Sequence, residues 1–128
     1  MWIPVAILFR AVKRTYLLAL VLLAACGRQE TPAPAAGNPA HGKALIAQYG
    51  CTSCHMIPGV DGARGEVGPS LDHVGTRQLI AEKVPNNLQN LMQYLQNPQM
   101  VDPQNSMPSL GVKPDEARDI AAYLQTLK

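Results

Sequence analysis

Two cysteines and a histidine at a fixed spacing are the residues of this sequence with the clearest chemistry. The sequence Cys-Thr-Ser-Cys-His occupies residues 51–55, and this spacing is the attachment signature of a c-type haem. The two thiols can add to the two vinyl groups of one porphyrin, and this tether holds an imidazole nitrogen where it can ligate the iron. The sequence therefore predicts one covalently bound haem c, attached at Cys51 and Cys54 and ligated by His55.

Other uses of paired cysteines fit the sequence less well. A structural zinc site needs a second pair of ligands, and the chain has only one further cysteine, Cys26. A thioredoxin-like redox pair needs a βαβ pattern around it, which the sequence lacks. A single Cys-x-x-Cys-His motif also excludes a multihaem peroxidase.

The second axial ligand of the iron has to come from elsewhere in the chain. Met56 neighbours His55 and cannot reach the opposite face of a haem. Met92 lies on the apolar stripe of a predicted helix, which suits a core position. His41 and His73 are most simply surface histidines, either solvated or hydrogen-bonded.

Two methionines in a proline-rich stretch remain as candidates for this ligand. Met107 is favoured because Pro108 restricts its backbone to extended conformations and so rigidifies its approach. Met100 is the alternative. An iron without such a ligand would instead give an open-site haem protein that binds ligands.

Three helices are predicted to position these residues. The first begins with Asn38 as N-cap and Pro39 at its first position, and it ends at Gly50, directly before the haem motif. The second follows residues 85–87 and carries an apolar stripe of Leu88, Leu91, Met92 and Leu95. The last begins near residue 113, with an apolar stripe of Ala117, Ile120, Ala121, Leu124 and Leu127.

Glycine- and proline-rich segments separate these helices. Residues 56–84 and 98–112 are predicted to be long loops that wrap around another part of the molecule. A helical turn is predicted within the first of them, over Arg77 to Lys83. No segment shows the alternating pattern of a strand. The fold class indicated by this pattern is all-α, with three to four helices around one haem.

The N-terminal segment is predicted to direct export. Residues 1–25 combine basic residues with a short apolar run and resemble a bacterial lipoprotein signal, cleaved before a lipid-modified Cys26. An uncleaved anchor is the alternative. Residues 26–37 form a Pro/Ala-rich flexible linker, which leaves 38–128 as the folded domain. An apolar stretch precedes the basic residues, which suggests that translation starts at Val12 instead of Met1.

Removal of the signal reverses the sign of the net charge. Three of the eleven Lys and Arg residues precede Cys26, which leaves eight against nine Asp and Glu and a net charge of −1. This charge gives no support for nucleic-acid binding, which is driven by counter-ion release from basic proteins, and no nucleic-acid partner is expected. The predicted location is the periplasm, or the outer face of the cell membrane, on a lipid anchor.

Three segments together resemble the class I c-type cytochromes. They are residues 51–55, the Gly-Pro-Ser-Leu segment at 68–71 and the Asn-Ser-Met-Pro segment at 105–108. The resemblance implies that Met107 is the sixth iron ligand and that the Pro69 carbonyl accepts the ring N–H of His55. It also implies that the N- and C-terminal helices cross closely.

A closer similarity is to the cytochrome c domains of bacterial haem–copper oxidases, seen at residues 84–88 and 97–112. It implies propionate contacts at Tyr94, where the family often carries Trp, and at Arg77. The implied function is non-enzymatic. The chain would be a membrane-tethered single-haem electron carrier that works with a terminal oxidase or a quinol–cytochrome c reductase. The alternative is an integral haem subunit of a dehydrogenase or reductase complex.

Overall fold

The computed structural model describes residues 36–128. The predicted signal peptide, the predicted lipidation site at Cys26 and residues 26–35 of the linker lie outside the described residues. Within 36–128, none of the helices combines the length and the apolar character needed to cross a membrane.

Helices dominate the described domain. In chain order the elements are α1 (Pro39–Gln48), a 3-10 turn (Cys51–Ser53), a second 3-10 turn (Val74–Thr76), β1 (Leu79–Ile80), β2 (Val84–Pro85), α2 (Leu88–Gln96), α3 (Pro98–Val101) and α4 (Pro114–Leu124). The structure is therefore mostly helical, as predicted. It adds one antiparallel pair of two-residue strands, β1 and β2.

Asparagine side chains start the first two long helices. Asn38 accepts hydrogen bonds from the backbone N–H groups of Ala40 and His41, at 3.1 and 3.2 Å. Asn87 accepts from the N–H of Asn90 at 2.9 Å. Each bond satisfies a donor that has no partner inside the helix. The predicted N-cap at Asn38 is confirmed.

The last helix starts at Pro114 as predicted, with Asp115 and Glu116 in its first turn. Carboxylates there interact favourably with the partial positive charge of the helix N-terminus. The Glu116 side chain also accepts a hydrogen bond of 2.5 Å from the Tyr49 hydroxyl. The start of α4 is thereby joined to the end of α1.

The core forms where α1, α2 and α4 meet. Gly42, Leu45 and Ile46 of α1 are buried. Only 1 % of the surface of Ile46 is exposed, and the most buried residues of α4 are equally inaccessible. The predicted core position of Met92 is confirmed by its 8 % exposure. The buried apolar residues are Leu45, Ile46, Ile57, Ala63, Ile80, Leu91, Met92, Leu95, Val112, Ala117, Ile120, Ala121 and Leu124.

The predicted helical turn over Arg77 to Lys83 is wrong. This segment forms the β1–β2 hairpin, in which Ile80 pairs with Val84. The N–H of Lys83 bonds to the carbonyl of Ile80, and Ala81 and Glu82 between them have φ of 49° and 59°. Glycine or asparagine usually occupies such left-handed positions, so this sequence carries no recognisable signal for the turn.

The predicted loop 98–112 begins with a short helix instead. Pro98 takes the first helical position of α3, where its missing N–H costs nothing. Pro98 is among the most buried residues of the domain. The remaining segment, 102–113, is irregular as predicted.

Candidate functional site

The haem motif lies in a tight turn directly after α1. Gly50 has a φ of 70° and turns the chain out of the helix into the 3-10 turn Cys51–Ser53. The carbonyl of Cys51 then accepts hydrogen bonds from the N–H groups of Cys54 and His55, at 3.2 and 3.0 Å. Both thiols and the imidazole therefore extend from one compact turn.

Both cysteine thiols of this turn are free and partly buried. Burial raises the pKa of the Cys51 thiol above its ordinary value, because the desolvated site disfavours the thiolate.

Hydrogen bonding fixes the tautomer of His55. Its Nδ1 lies 2.8 Å from the backbone carbonyl oxygen of Pro69. A carbonyl oxygen can only accept, so Nδ1 carries a proton, and in the neutral ring Nε2 then keeps its lone pair. A neutral imidazole with Nε2 free to donate electrons is the form that ligates a metal.

Two glycines make room for this turn. A Cβ on Gly68 would overlap the imidazole ring of His55, and one on Gly65 would lie 2.6 Å from the Cα and backbone nitrogen of Cys54. The N–H of Gly68 also donates to the carbonyl of Cys54 at 2.8 Å. The segment after the motif therefore packs backbone-to-backbone against it.

Met107 and Met100 have different surroundings. Met107 is partly buried and packs against the hydrophobic core. Met100 is 65 % exposed and lines a shallow depression on the outer side of α2 and α3, together with Gln89, Gln93, Gln96 and Asn97.

The structure gives Tyr94 and Arg77 partners within the protein. The Tyr94 hydroxyl accepts a hydrogen bond of 2.8 Å from Nδ2 of Asn105, two residues before Met107. The Arg77 guanidinium donates to the carbonyls of Ser70 and Asp72, at 2.6 and 3.1 Å. Arg77 thus lies beside the segment that follows Pro69, and Tyr94 lies beside the methionine segment. Their propionate contacts stay predictions.

The sequence of the described domain matches that of a known protein family. A sequence model of the cytochrome c family matches residues 39–128, which span all the helices and strands of the described domain. The chain belongs to the cytochrome c family. Family membership implies a haem c and a role in electron transfer.

A curated relative of this cytochrome c chain is cytochrome c oxidase subunit 2 of Alkalihalophilus pseudofirmus. The two are 30 % identical over 88 residues, which cover 68 % of this chain. The aligned segment covers 25 % of the relative, so the chain spans about a quarter of that protein's length.

The residues present fit the haem c that the cytochrome c family implies. The donor set consists of two thiols on one turn, an imidazole whose Nε2 is the free nitrogen, and a thioether in a partly buried segment. These are the groups that attach haem c and ligate its iron. Cys51 and Cys54 would hold the porphyrin, and His55 and Met107 would ligate the metal.

Sequence reasoning missed four residues of this site. It used Gly65 only as a loop residue and Gly68 only as part of the Gly-Pro-Ser-Leu segment, although both clear space for the haem motif. It gave no role to Asn105 or Gln99, which hydrogen-bond to the backbone of Met107. A glycine or amide carries no signal for a contact that only the folded chain creates.

The predicted surface positions of His41 and His73 are confirmed, since both are exposed and each lies beside an aspartate.

Proposed function

We propose that this protein is a single-haem, one-electron carrier, anchored to a membrane through Cys26 and exchanging electrons with a membrane-bound oxidase. Cys51 and Cys54 hold the haem, and His55 and Met107 are the axial ligands of its iron. Membership of the cytochrome c family supports the electron-transfer role.

The hydrogen bond between His55 and Pro69 is the observation that carries the proposal. At 2.8 Å it fixes the Nδ1–H tautomer and the orientation of the ring. A ligand fixed in this way does not have to reorient when the iron changes its oxidation state, and the accepting carbonyl makes Nε2 more basic.

The difference in burial between two methionines supports Met107 as the second ligand. Met107 packs against the core on the inner side of the 102–113 segment. Met100 exposes about two thirds of its surface on the outer side of α3. Partial burial limits the access of water to the Met107 side chain, which favours its bond to iron over a competing water molecule.

Two protein ligands to the iron, His55 and Met107, would determine the class of chemistry. Haem c with two protein ligands supplies an iron that gains and loses one electron and offers no open position to a substrate. The chain's own contribution is to hold His55 and Met107 in place and to keep water out. This favours a carrier over an enzyme.

The membrane location and the oxidase partner rest on the sequence. Residues 1–25 carry the signal pattern that ends at Cys26, and the linker would let the domain reach away from the lipid surface. Similarity to part of a cytochrome c oxidase subunit 2 supports an oxidase as the electron acceptor. Redox partners bind through small, transient interfaces.

Visible spectroscopy of the purified holoprotein tests the ligand assignment. We expect the weak red absorption band of methionine-ligated ferric haem in the wild type and in Met100→Ala, and its loss in Met107→Ala. The reduced wild type should not bind carbon monoxide at neutral pH. Ready carbon monoxide binding would instead indicate an open-site haem protein.

Fractionation of the native host tests the partner and the location. We expect the protein in the membrane fraction, released as a monomer by mild detergent, with its reduced form oxidised by membranes in a cyanide-sensitive manner. Substitution of Cys26 by Ser should move it out of the membrane fraction. Stoichiometric co-purification with a dehydrogenase or reductase would support the integral-subunit alternative instead.

A further inference from the structure

Side chains hold the segment that carries Met107. No backbone–backbone hydrogen bond involves residues 106–112 in the described part of the chain. The N–H of Met107 instead donates to Oδ1 of Asn105 at 2.8 Å, and its carbonyl accepts from Nε2 of Gln99 at 2.7 Å. Both backbone polar groups of Met107 therefore depend on two amide side chains.

Those two amides are themselves held by residues of α2 and α3. Nδ2 of Asn105 donates to the hydroxyl of Tyr94, in α2, at 2.8 Å. Gln99, in α3, also donates to the carbonyl of Asn105 at 3.2 Å. All four bonds among these residues are partly buried, so water competes for them less than at the open surface.

We infer that Tyr94, Gln99 and Asn105, here called the methionine clamp, are positioning residues for the Met107 sulfur. They fix the backbone of Met107 and so determine how readily an external ligand displaces its side chain from the iron. This inference rests on the proposed function, in which Met107 is an axial ligand. It gives Tyr94 a role different from the propionate contact that the family resemblance implied.

The clamp acts on an equilibrium between Met107 and a competing ligand. When Met107 is displaced, its segment must leave the position in which the clamp holds it, so each clamp bond opposes displacement. A net hydrogen bond of ordinary strength changes such an equilibrium by about 2- to 10-fold. Asn105 links Met107 to Tyr94, and its removal breaks two of these side-chain bonds.

Imidazole titration of the ferric holoprotein tests this inference. Binding is followed by the loss of the methionine–iron band. We expect Gln99→Ala and Tyr94→Phe to bind imidazole about 3- to 10-fold more tightly than the wild type, and Asn105→Ala about 10-fold or more tightly. Tyr94→Phe keeps the aromatic ring, so the core packing of this residue is retained.

Two further variants separate positioning from general stability. Asn105→Asp keeps an acceptor for the Met107 N–H. Its second carboxylate oxygen can accept from the Tyr94 hydroxyl, in place of the bond that Nδ2 of Asn105 donates in the wild type. It should therefore restore an imidazole affinity close to that of the wild type. Gln93→Ala is the matched control, because Gln93 is an exposed residue of α2 whose side chain makes no hydrogen bond in the described domain. It should leave imidazole affinity unchanged.

The outcomes distinguish this inference from the proposed function. If the wild type lacks the band and Met107→Ala binds imidazole like the wild type, Met107 is not a ligand and both proposals fail. If Met107→Ala binds more tightly but the three clamp variants match Gln93→Ala, only the clamp is overturned. If Asn105→Ala fails to fold, Gln99→Ala and Tyr94→Phe still decide the question.

Discussion

Gly42 of α1 lies directly against the backbone carbonyl of Asp119 in α4. A Cβ at this glycine would overlap that oxygen. The side chain of Asp119 also reaches back to α1, where Oδ1 accepts from the N–H of Asn38 at 2.8 Å and Oδ2 lies 2.7 Å from Nδ1 of His41. The first and last helices are thus joined by backbone contact and by a carboxylate at the start of α1.

Substitution Gly42→Ala should destabilise the domain. The new methyl group forces α1 away from α4, at a cost of about 1–3 kcal/mol in the free energy of unfolding. Denaturant titration of the holoprotein, followed by circular dichroism, measures this change.

Helix propensity alone predicts the opposite result for Gly42, because alanine favours a helix by about 1 kcal/mol over glycine. The exposed Ala44→Gly in the same helix is the control and should lose about that amount. If Gly42→Ala were as stable as the wild type, the close contact of α1 and α4 would be refuted.

Substitution Gly68→Ala should disturb the His55 imidazole. The added Cβ overlaps the ring, so the ring must move and its bond to Pro69 must lengthen or break. We expect a mixed or high-spin haem spectrum and a loss of about 1–3 kcal/mol in stability. Gly62→Ala is the control for the spectrum, because no atom lies near its Cβ position. Its φ of 75° makes alanine strained there, so this variant should lose stability but keep the low-spin spectrum. An unchanged low-spin spectrum in Gly68→Ala would contradict this account of the ring.

The stability contributed by Asp119 should depend on pH. Hydrogen bonds from the Asn38 N–H and from His41 lower the pKa of this carboxyl below its ordinary value. A carboxyl with a lowered pKa stabilises the fold at pH values above about 4, and this contribution is lost as the pH falls through the folded-state pKa.

Asp119→Ala should therefore be less stable than the wild type at pH 7, and the difference should shrink below about pH 4. Thermal melts at a series of pH values measure it. Asp61→Ala is the control, since Asp61 is exposed and makes no side-chain hydrogen bond in the described domain. A difference that stays constant down to pH 2 would count against the ionised carboxylate as the cause.

Removal of both thiols should abolish covalent attachment. In Cys51→Ala/Cys54→Ala the haem should be extracted by acidified organic solvent, whereas in the wild type it should stay with the protein. Ser53→Ala changes the same turn. Among the described residues, the Ser53 hydroxyl bonds only to the Gly50 carbonyl and weakly to the Cys54 sulfur. It should retain covalent haem. Retention in the double variant would refute the thioether assignment.

Much of the helical framework was predictable because its signals are local. Asn38 and Pro39 mark a helix start by the chemistry of a single turn, and the spacing of Leu91, Met92 and Leu95 identifies a buried face. The β1–β2 hairpin was not predictable. Ala81 and Glu82 hold left-handed conformations that neither residue favours, so tertiary packing must impose them.

The sequence by itself determined the kind of chemistry, because the spacing of Cys51, Cys54 and His55 is a covalent requirement that no tertiary contact alters. It also reduced the second ligand to two methionines. Only the tertiary structure decided how the site is held: the 2.8 Å distance between His55 and Pro69, the space provided by Gly68 and the side-chain bonds to the backbone of Met107. These depend on contacts between segments far apart in sequence, and the position of one such segment against another is a property of the packed chain alone.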